Sequence, residues 1–183
     1  MRNDILIKTL FETGAVVSFS EAKRLVAMGG GHKAGEVVLK AERLMMIAHA
    51  GVLDKSDVPY WKHPTAVANL MLEYETNFVS DEMLAVALLH DVVEDTETTL
   101  EDLAKIFSAD VVDGVDGVTR RPGESWNDYF KRFSVEPIAK VVKKYDLIHN
   151  MDLTRMKTIT VEDVRRTERY ARTLKKLMKL EEV

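Results

Sequence analysis

The sequence contains five histidines and no cysteine, so its side chains able to bind a metal can be considered one by one. His90 and Asp91 directly follow the apolar run Leu84–Leu89, where an unpaired charge would be costly to bury. Glu94 and Asp95 come four residues after them, at helical spacing. Carboxylates this close repel one another unless a proton or a cation lies between them. The segment therefore predicts either a cation site or a solvated acidic helix end.

Two further positions offer metal-binding chemistry. His63 stands directly before Pro64, at a predicted helix entrance, which is also typical of a surface or capping histidine. Asp146 and Asn150 are four residues apart on another predicted helix, where neighbouring lysines are equally typical of an exposed face. Spacing alone does not join these positions and His90 into one site.

The composition limits what the chain can be. With 183 residues, we expect one domain, at most with a small appendage. The absence of cysteine excludes disulfides, thiolate zinc sites and a cysteine nucleophile. A net charge of -4 argues against a broad nucleic-acid-binding surface but leaves room for a local basic pocket. The sequence shows neither a membrane-spanning apolar run nor a signal peptide, so we expect a cytoplasmic protein without membrane contact.

The elements that must position these residues are helices, because helical periodicity dominates and no convincing alternating strand pattern occurs. We predict an all-α bundle of short helices. A run of three glycines at 29–31 is the clearest linker and predicts a helical extension over 1–35 followed by a main domain over 36–183. The predicted helices cover about 4–12, 21–28, 36–50, 64–74, 81–93, 99–107, 109–118, 125–133, 137–151 and 161–180.

Three segments resemble the hydrolase domain of the RelA/SpoT alarmone enzymes. They are Pro59–Pro64 (PYWKHP), Ala87–Thr96 (ALLHDVVEDT) and Asp113–Thr119 (DGVDGVT). The order of His63, His90-Asp91 and Asp146 also matches the H…HD…D pattern of the HD-domain metal phosphohydrolases. The resemblance covers about residues 36–180 and is closest to the small alarmone hydrolases and metazoan SpoT homologues, which have a similar length. It implies an HD-domain helical bundle.

The resemblance implies a metal centre and a pair of catalytic acids. Four side chains would hold one divalent metal: His63, His90, Asp91 and Asp146. Two imidazoles and two carboxylates without a thiolate suit Mn²⁺ or a similar first-row ion. Glu94 and Asp95 match the acidic pair that orients the attacking water and carries its proton.

The same resemblance implies a phosphorylated nucleotide as substrate and removal of the 3′-pyrophosphate of ppGpp or a related alarmone as the reaction. Asn150 matches a substrate-contacting asparagine. Cations that could meet the substrate's phosphates, or equally be solvated surface charges, are Lys55, Lys62, Arg120, Arg121 and Arg155. Trp126, Tyr129 and Phe130 could stack on a base or belong to the core.

Two departures keep other functions open. The long enzymes carry consecutive basic residues before the Pro-Tyr pair, whereas Lys55 is the one cation between Val52 and Val58 here. The long enzymes often have arginine after the last metal ligand, whereas this chain has Leu147. One alternative is an HD hydrolase of an adenine alarmone, a nucleoside phosphate or NADPH. Another is a non-catalytic nucleotide- or RNA-binding regulatory module. The sequence leaves the oligomeric state open.

The N-terminal segment faintly resembles the start of a small ribosomal-protein-type RNA-binding module, through the stretch Ser20–Leu25 (SEAKRL) and the glycines after it. Its basic residues are too few for strong phosphate binding. We therefore favour a helical hairpin or a partner-contacting arm over RNA contact. His49 and His149 are interpreted as structural or supporting residues, and His32 as a surface residue.

Overall fold

The computed structural model describes residues 35–75 and 79–180, and these form a bundle of α-helices. The all-α prediction is confirmed: within the described residues the one β-type pairing is an isolated bridge between Leu53 and Pro59. The helices are α1 Glu36–Ala48, α2 Lys62–Tyr74, α3 Asp81–Leu89, α4 Val92–Asp95, α5 Leu100–Ala104, α6 Ala109–Val118, α7 Trp126–Val135, α8 Pro137–Met151 and α9 Val161–Lys179, with a 3-10 turn at Leu153–Arg155.

Several predicted features lie outside the described residues: the helices over 4–12 and 21–28, the glycine linker and His32. The division into an extension and a main domain at residue 35 therefore stays a prediction.

Most helix starts follow from capping side chains in the sequence. Ser80 accepts a hydrogen bond from the Met83 amide at the start of α3, and serine is a favoured capping residue. Thr99 caps α5 and forms a capping box with Asp102. Pro137 is the first residue of α8, where its missing amide proton costs nothing.

Helices α3 and α8 are central to the fold. Every residue from Leu84 to Leu89 on α3 is buried, and α3 packs against α1, α2, α6 and α8. Burial of each large aliphatic side chain contributes about 1.5–3 kcal/mol, so this run anchors the helix that leads to His90 and Asp91. No helix in the described part of the chain combines the length and apolarity needed to cross a bilayer.

Two glycines allow α6 to approach α3 and α8 closely. A Cβ on Gly117 would lie 2.6 Å from the Cβ of Ala139 on α8, and one on Gly114 would lie 2.7 Å from Val86 on α3. Glycine lowers intrinsic helix stability, yet α6 runs through both positions because neighbouring helices pack against it.

The helix predicted over 81–93 is interrupted, which corrects the sequence interpretation. Helix α3 ends at Leu89, and the short helix α4 begins at Val92. The Ala87 carbonyl, which would accept from the Asp91 amide in a continuous helix, accepts a hydrogen bond from His90 Nδ1 at 2.8 Å. The break lies at the two residues that the sequence predicted as metal ligands.

Candidate metal centre and active site

The four side chains predicted as metal ligands converge. The Nε2 atoms of His63 and His90 are 3.1 Å apart, and Asp91 Oδ2 lies 3.4 Å from the first and 3.0 Å from the second. Asp146 Oδ1 lies 3.1 Å from His63 Nε2 and 3.7 Å from His90 Nε2. Helices α2 and α8 and the junction between α3 and α4 thus bring these atoms to one point.

Backbone contacts fix the imidazole of His90. Its Nδ1–H donates to the Ala87 carbonyl, which can only accept. In the neutral ring, the lone pair therefore lies on Nε2, the atom that faces His63, Asp91 and Asp146. The His90 side chain is 1% exposed, so the ring is held rigidly by its surroundings.

His63 is oriented by a second histidine. Its Nδ1 lies 2.7 Å from Nδ1 of His149, one turn after Asp146 on α8. Burial, together with the charges of His63 and Arg155, lowers the pKa of His149 to about 4. His149 is thus neutral at physiological pH and accepts the Nδ1–H of His63, which leaves His63 Nε2 with a free lone pair.

A tyrosine fixes the carboxylate of Asp91. The Tyr60 hydroxyl donates to Asp91 Oδ2 at 2.6 Å, and burial raises the pKa of Tyr60, so this hydroxyl keeps its proton. The ring of Tyr60 packs at 4.9 Å from that of His49, whose Nδ1 donates to the Met45 carbonyl. His49 is therefore a supporting residue that fixes the tyrosine, in agreement with its sequence interpretation.

Both carboxylate oxygens of Asp146 have a side-chain partner. Lys143 Nζ lies 2.8 Å from its Oδ2, and Asn150 Nδ2 donates to its Oδ1 at 2.5 Å. Burial would lower the pKa of Lys143, but the charges of Asp146 and Tyr129 outweigh it and raise that pKa well above its usual value. Asp146 is 4% exposed, so the alternative of an exposed Lys/Asp face is wrong.

This donor set fits a divalent cation. Two imidazole nitrogens and two carboxylate oxygens face one another. Burial would lower the pKa of His90, but the two carboxylates outweigh it and raise that pKa well above its usual value. A positive charge at this point, from a proton or from a metal ion, is therefore favoured. Ligands bound side by side to a first-row ion at about 2.1 Å lie about 3 Å apart, close to the spacings here. His63, His90 and Asp146 each offer an atom within 4.8 Å of the other two, and Asp91 lies beside both histidines.

Glu94 and Asp95, the predicted catalytic acids, lie on α4 at the solvent-facing rim of this centre. Partial burial raises the pKa of each, and the charge of Asp91 adds to the effect. For Asp95, a hydrogen bond with Tyr60 opposes the increase. Burial is the larger cause for both acids, and repulsion from Asp91 is the smaller one.

The backbone of the loop between α6 and α7 fixes Glu94. The Arg120 amide donates to Glu94 Oε2 at 2.9 Å. The loop is held by Arg132, which pairs with Glu124 at 2.8 Å and donates to the carbonyls of Asp116 and Thr119. This network sets the position of the acid through the main chain.

The predicted substrate-binding cations differ in their surroundings and partners. Lys55 is 3.5 Å from Asp163, and Arg121 is bound to Asp116 at 2.9 Å, so both have carboxylate partners. Arg120 donates its side chain to the Glu124 carbonyl at 2.7 Å and lies over Trp126. Arg155 belongs to the 3-10 turn and is exposed near His149.

Asn150, the predicted substrate contact, donates a hydrogen bond to Asp146. Of the aromatic residues considered for base stacking, Tyr129 is fully buried and belongs to the core. Trp126 and Phe130 are partly buried and pack against that core.

Comparison with known proteins identifies the family. The sequence model of the HD domain matches residues 41–165, a segment that contains all four converging side chains. The chain belongs to the HD-domain family. Both the HD-domain assignment and the predicted helical bundle are therefore confirmed.

Curated relatives match parts of this HD-domain chain. A probable GTP pyrophosphokinase of Mycobacterium leprae is 36% identical over 63% of the chain. The bifunctional (p)ppGpp synthase/hydrolase SpoT of Escherichia coli is 33% identical over 57% of the chain. The matches span 15% and 16% of those two proteins. MESH1 of Danio rerio, named a guanosine-3′,5′-bis(diphosphate) 3′-pyrophosphohydrolase, is 46% identical over 36% of each chain.

A solved structure shares the fold. It is a metazoan orthologue of SpoT described as hydrolysing ppGpp, with a TM-score of 0.64 and 25% sequence identity. The similarity covers 78% of this HD-domain chain and 85% of the other.

Sequence reasoning assigned no role to two residues of the HD-domain site, Tyr60 and Lys143. Lys143 precedes Asp146 by three residues, a helical spacing that brings the two side chains together. Tyr60 lies within the quoted PYWKHP segment, but its contact with Asp91 spans 31 residues and has no local sequence signal.

Proposed function

We propose that the chain is a metal-dependent nucleotide pyrophosphohydrolase that removes the 3′-pyrophosphate of (p)ppGpp-like alarmones. The observation that carries the proposal is the convergence of His63, His90, Asp91 and Asp146. Two carboxyl groups with raised pKa values, Glu94 and Asp95, follow directly on α4. The similarity to SpoT and MESH1 supports the substrate class.

In this proposal the four converging side chains hold one divalent metal, with Mn²⁺ the preferred ion because the donors are nitrogen and oxygen without sulfur. When bound, such an ion activates a water for attack and offsets negative charge on the phosphoryl groups. His149 and Tyr60 orient two of the four ligands through hydrogen bonds.

Glu94 and Asp95 are proposed to act on the attacking water. The water oxygen forms a bond to the phosphorus next to the nucleotide's 3′ oxygen, and the bond between that phosphorus and the 3′ oxygen breaks. A carboxylate takes the proton of the water, and the leaving 3′ oxygen receives a proton. The fixed position of Glu94 suits it to orient the water, and general base catalysis contributes roughly 10²–10⁴-fold.

The proposed substrate-binding residues differ in their positions and present partners. Arg155 and Arg120 lie near the centre, whereas Lys55 and Arg121 would have to leave Asp163 and Asp116 to meet a phosphate. Asn150 would support the substrate through Asp146.

A second candidate is the same chemistry on another nucleotide, such as an adenine alarmone, a nucleoside phosphate or NADPH. It is favoured by Leu147, which is 1% exposed and offers no charge where the long enzymes often carry arginine. A nucleotide lacking the guanine base or the 3′-pyrophosphate would be held by the same metal and acids.

The test is release of pyrophosphate from ppGpp by the Mn²⁺-loaded protein, with a panel of adenine and guanine nucleotides assayed in parallel. We expect turnover that a chelator abolishes and that Mn²⁺ restores. Asp91→Asn should lose bound metal and activity while keeping its helical circular dichroism. Turnover of another nucleotide alone would move the assignment to the second candidate. If the wild type binds no ion after incubation with Mn²⁺, the proposal fails.

A further inference from the structure

A surface pocket of about 320 Å³ lies between the start of α7 and one side of α9. Its size is at the lower end of small-ligand sites. The α9 residues that line it share one helical stripe, with spacings of four, three, one and three residues. The lining consists of Trp126, Arg165, Arg169, Arg172, Thr173 and Lys176. None of these residues belongs to the metal centre.

The pocket concentrates positive charge in a chain whose net charge is -4. Its lining contains four cations and no carboxylate. Arg172 lies 3.4 Å from Glu168, whereas Arg165, Arg169 and Lys176 have no carboxylate within ion-pair distance in the described part of the chain. Like charges gathered without counter-charges repel one another, and an anionic ligand would relieve this repulsion.

Trp126 gives the pocket a fixed aromatic wall. Its indole Nε1–H donates to Thr173 Oγ1 at 2.8 Å, and Thr173 donates to the Arg169 carbonyl. The Arg169 guanidinium lies 5.4 Å from the indole centroid. A rigid aromatic face beside unpaired cations suits a ligand that combines phosphates with a flat base, because phosphates pair with arginine and bases stack on tryptophan.

Side-chain contacts connect the pocket to the metal centre. The ring of Trp126 packs at 5.6 Å from that of Tyr129, and Lys143 Nζ lies 5.2 Å from the Tyr129 ring. Lys143 in turn pairs with Asp146 at 2.8 Å. The pocket is thus a separate cavity, and Tyr129 and Lys143 lie between its Trp126 wall and Asp146.

We propose that this pocket binds the phosphate groups of a nucleoside polyphosphate at a second site distinct from the metal centre. The phosphates have two sources: the 5′ end of a substrate whose 3′ end lies in the metal centre, or a second nucleotide. The first source rests on the proposed function, and the second does not.

Binding is measured through Trp126 itself. The chain has two tryptophans, so Trp61→Phe leaves Trp126 as the one indole reporter. In this background we titrate GDP, which has a 5′-diphosphate but no 3′-pyrophosphate to hydrolyse, and guanosine as the ligand without phosphates. We expect saturable quenching by GDP that weakens with added salt, and none by guanosine at equal concentration.

The pocket variant is Arg165→Gln/Lys176→Gln, which removes two exposed cations without a carboxylate partner. Each lost charge-assisted contact should weaken GDP binding about tenfold. The matched control is Lys40→Gln/Lys105→Gln, which changes the net charge equally at exposed lysines on α1 and at the C-terminus of α5. The control should bind GDP as the parent does.

Kinetics separate the two sources. If the substrate supplies the phosphates, the pocket variant raises KM for ppGpp but not for guanosine 3′-diphosphate, and kcat is retained. If a second nucleotide supplies them, KM is unchanged for both substrates, and added GDP alters the parent's rate without altering the variant's.

Quenching of equal strength in the parent, the pocket variant and the control would overturn the inference, as would quenching by guanosine. The titration requires no turnover. If GDP binds in a manner that depends on Arg165 and Lys176 but no nucleotide is hydrolysed, the proposed function fails and the pocket assignment stands.

Discussion

The Nδ1 atoms of His63 and His149 lie 2.7 Å apart, so the two rings share one hydrogen bond behind the candidate metal centre. His149 is neutral because burial and nearby charges lower its pKa, which makes it the acceptor. The bond fixes both the tautomer and the ring plane of His63. An outer histidine on α8 thereby orients a proposed metal ligand on α2.

Loss of this acceptor should weaken metal binding. His149→Phe keeps a ring but cannot accept a hydrogen bond, and we expect about 10–100-fold weaker Mn²⁺ binding, measured by calorimetric titration. His149→Asn places a carbonyl oxygen near the position of the lost Nδ1 and should recover much of the affinity. Equal affinities in the wild type and His149→Phe would contradict this role.

The Tyr60 hydroxyl should support metal binding through Asp91. Tyr60→Phe removes the 2.6 Å hydrogen bond to Oδ2 and frees the carboxylate to rotate. We expect the metal affinity, measured in competition with a chelator, to fall about tenfold or more. Tyr74→Phe removes a hydroxyl from an exposed tyrosine on the same helix as His63 and is the matched control. A similar loss in both variants would show that the effect is not local.

Activity should decrease as the solution becomes acidic. Burial raises the pKa of Glu94 above its usual 4.5, and the carboxylate is the form that accepts a proton. Protonation below the raised pKa removes the base, so kcat/KM should fall about tenfold per pH unit on a limb that begins above pH 4.5.

The profile is measured with Mn²⁺ saturating at every pH, because the ligands also bind protons. Glu94→Gln should lower kcat about 10²–10⁴-fold and remove that limb. Glu97→Gln, at an exposed acid of the same segment, should leave both the rate and the limb unchanged. A limb that persists in Glu94→Gln would assign the proton transfer to another group.

Gly117→Ala should destabilise the fold although alanine favours helices. The gain in helix propensity is about 1 kcal/mol, whereas overpacking against Ala139 costs about 1–3 kcal/mol. The free energy of unfolding in urea is therefore expected to decrease. In Gly117→Ala/Ala139→Gly the overlap is removed, so the double variant should be more stable than the sum of the single changes predicts. Strict additivity would exclude a steric cause.

Local sequence signals predicted much of the fold. The predicted starts of the helices over 81–93 and 137–151 match those of α3 and α8, because Ser80 and Pro137 favour a helix start within one turn. The interruption at His90 was missed because it depends on a side chain that binds the Ala87 carbonyl. Helical periodicity carries no information on whether a side chain or a main-chain amide will bind a given carbonyl.

The candidate site could be assembled from the sequence only through resemblance to a family. His63 and Asp146 are 83 positions apart, and no spacing rule relates them. The surroundings of the cations could not be predicted, because the partners of Lys55 and Arg121 are set by tertiary contacts with Asp163 and Asp116.

Glu94 is held by the main-chain amide of residue 120 and not by that residue's side chain. The side chain at position 120 can therefore change without loss of this hydrogen bond, so in the proposed enzyme that side chain is free to adapt to a different nucleotide while Glu94 keeps its position. Proline is the one replacement at position 120 that would abolish the donor. In the proposed enzyme, this arrangement would separate the choice of substrate from the chemistry performed on it.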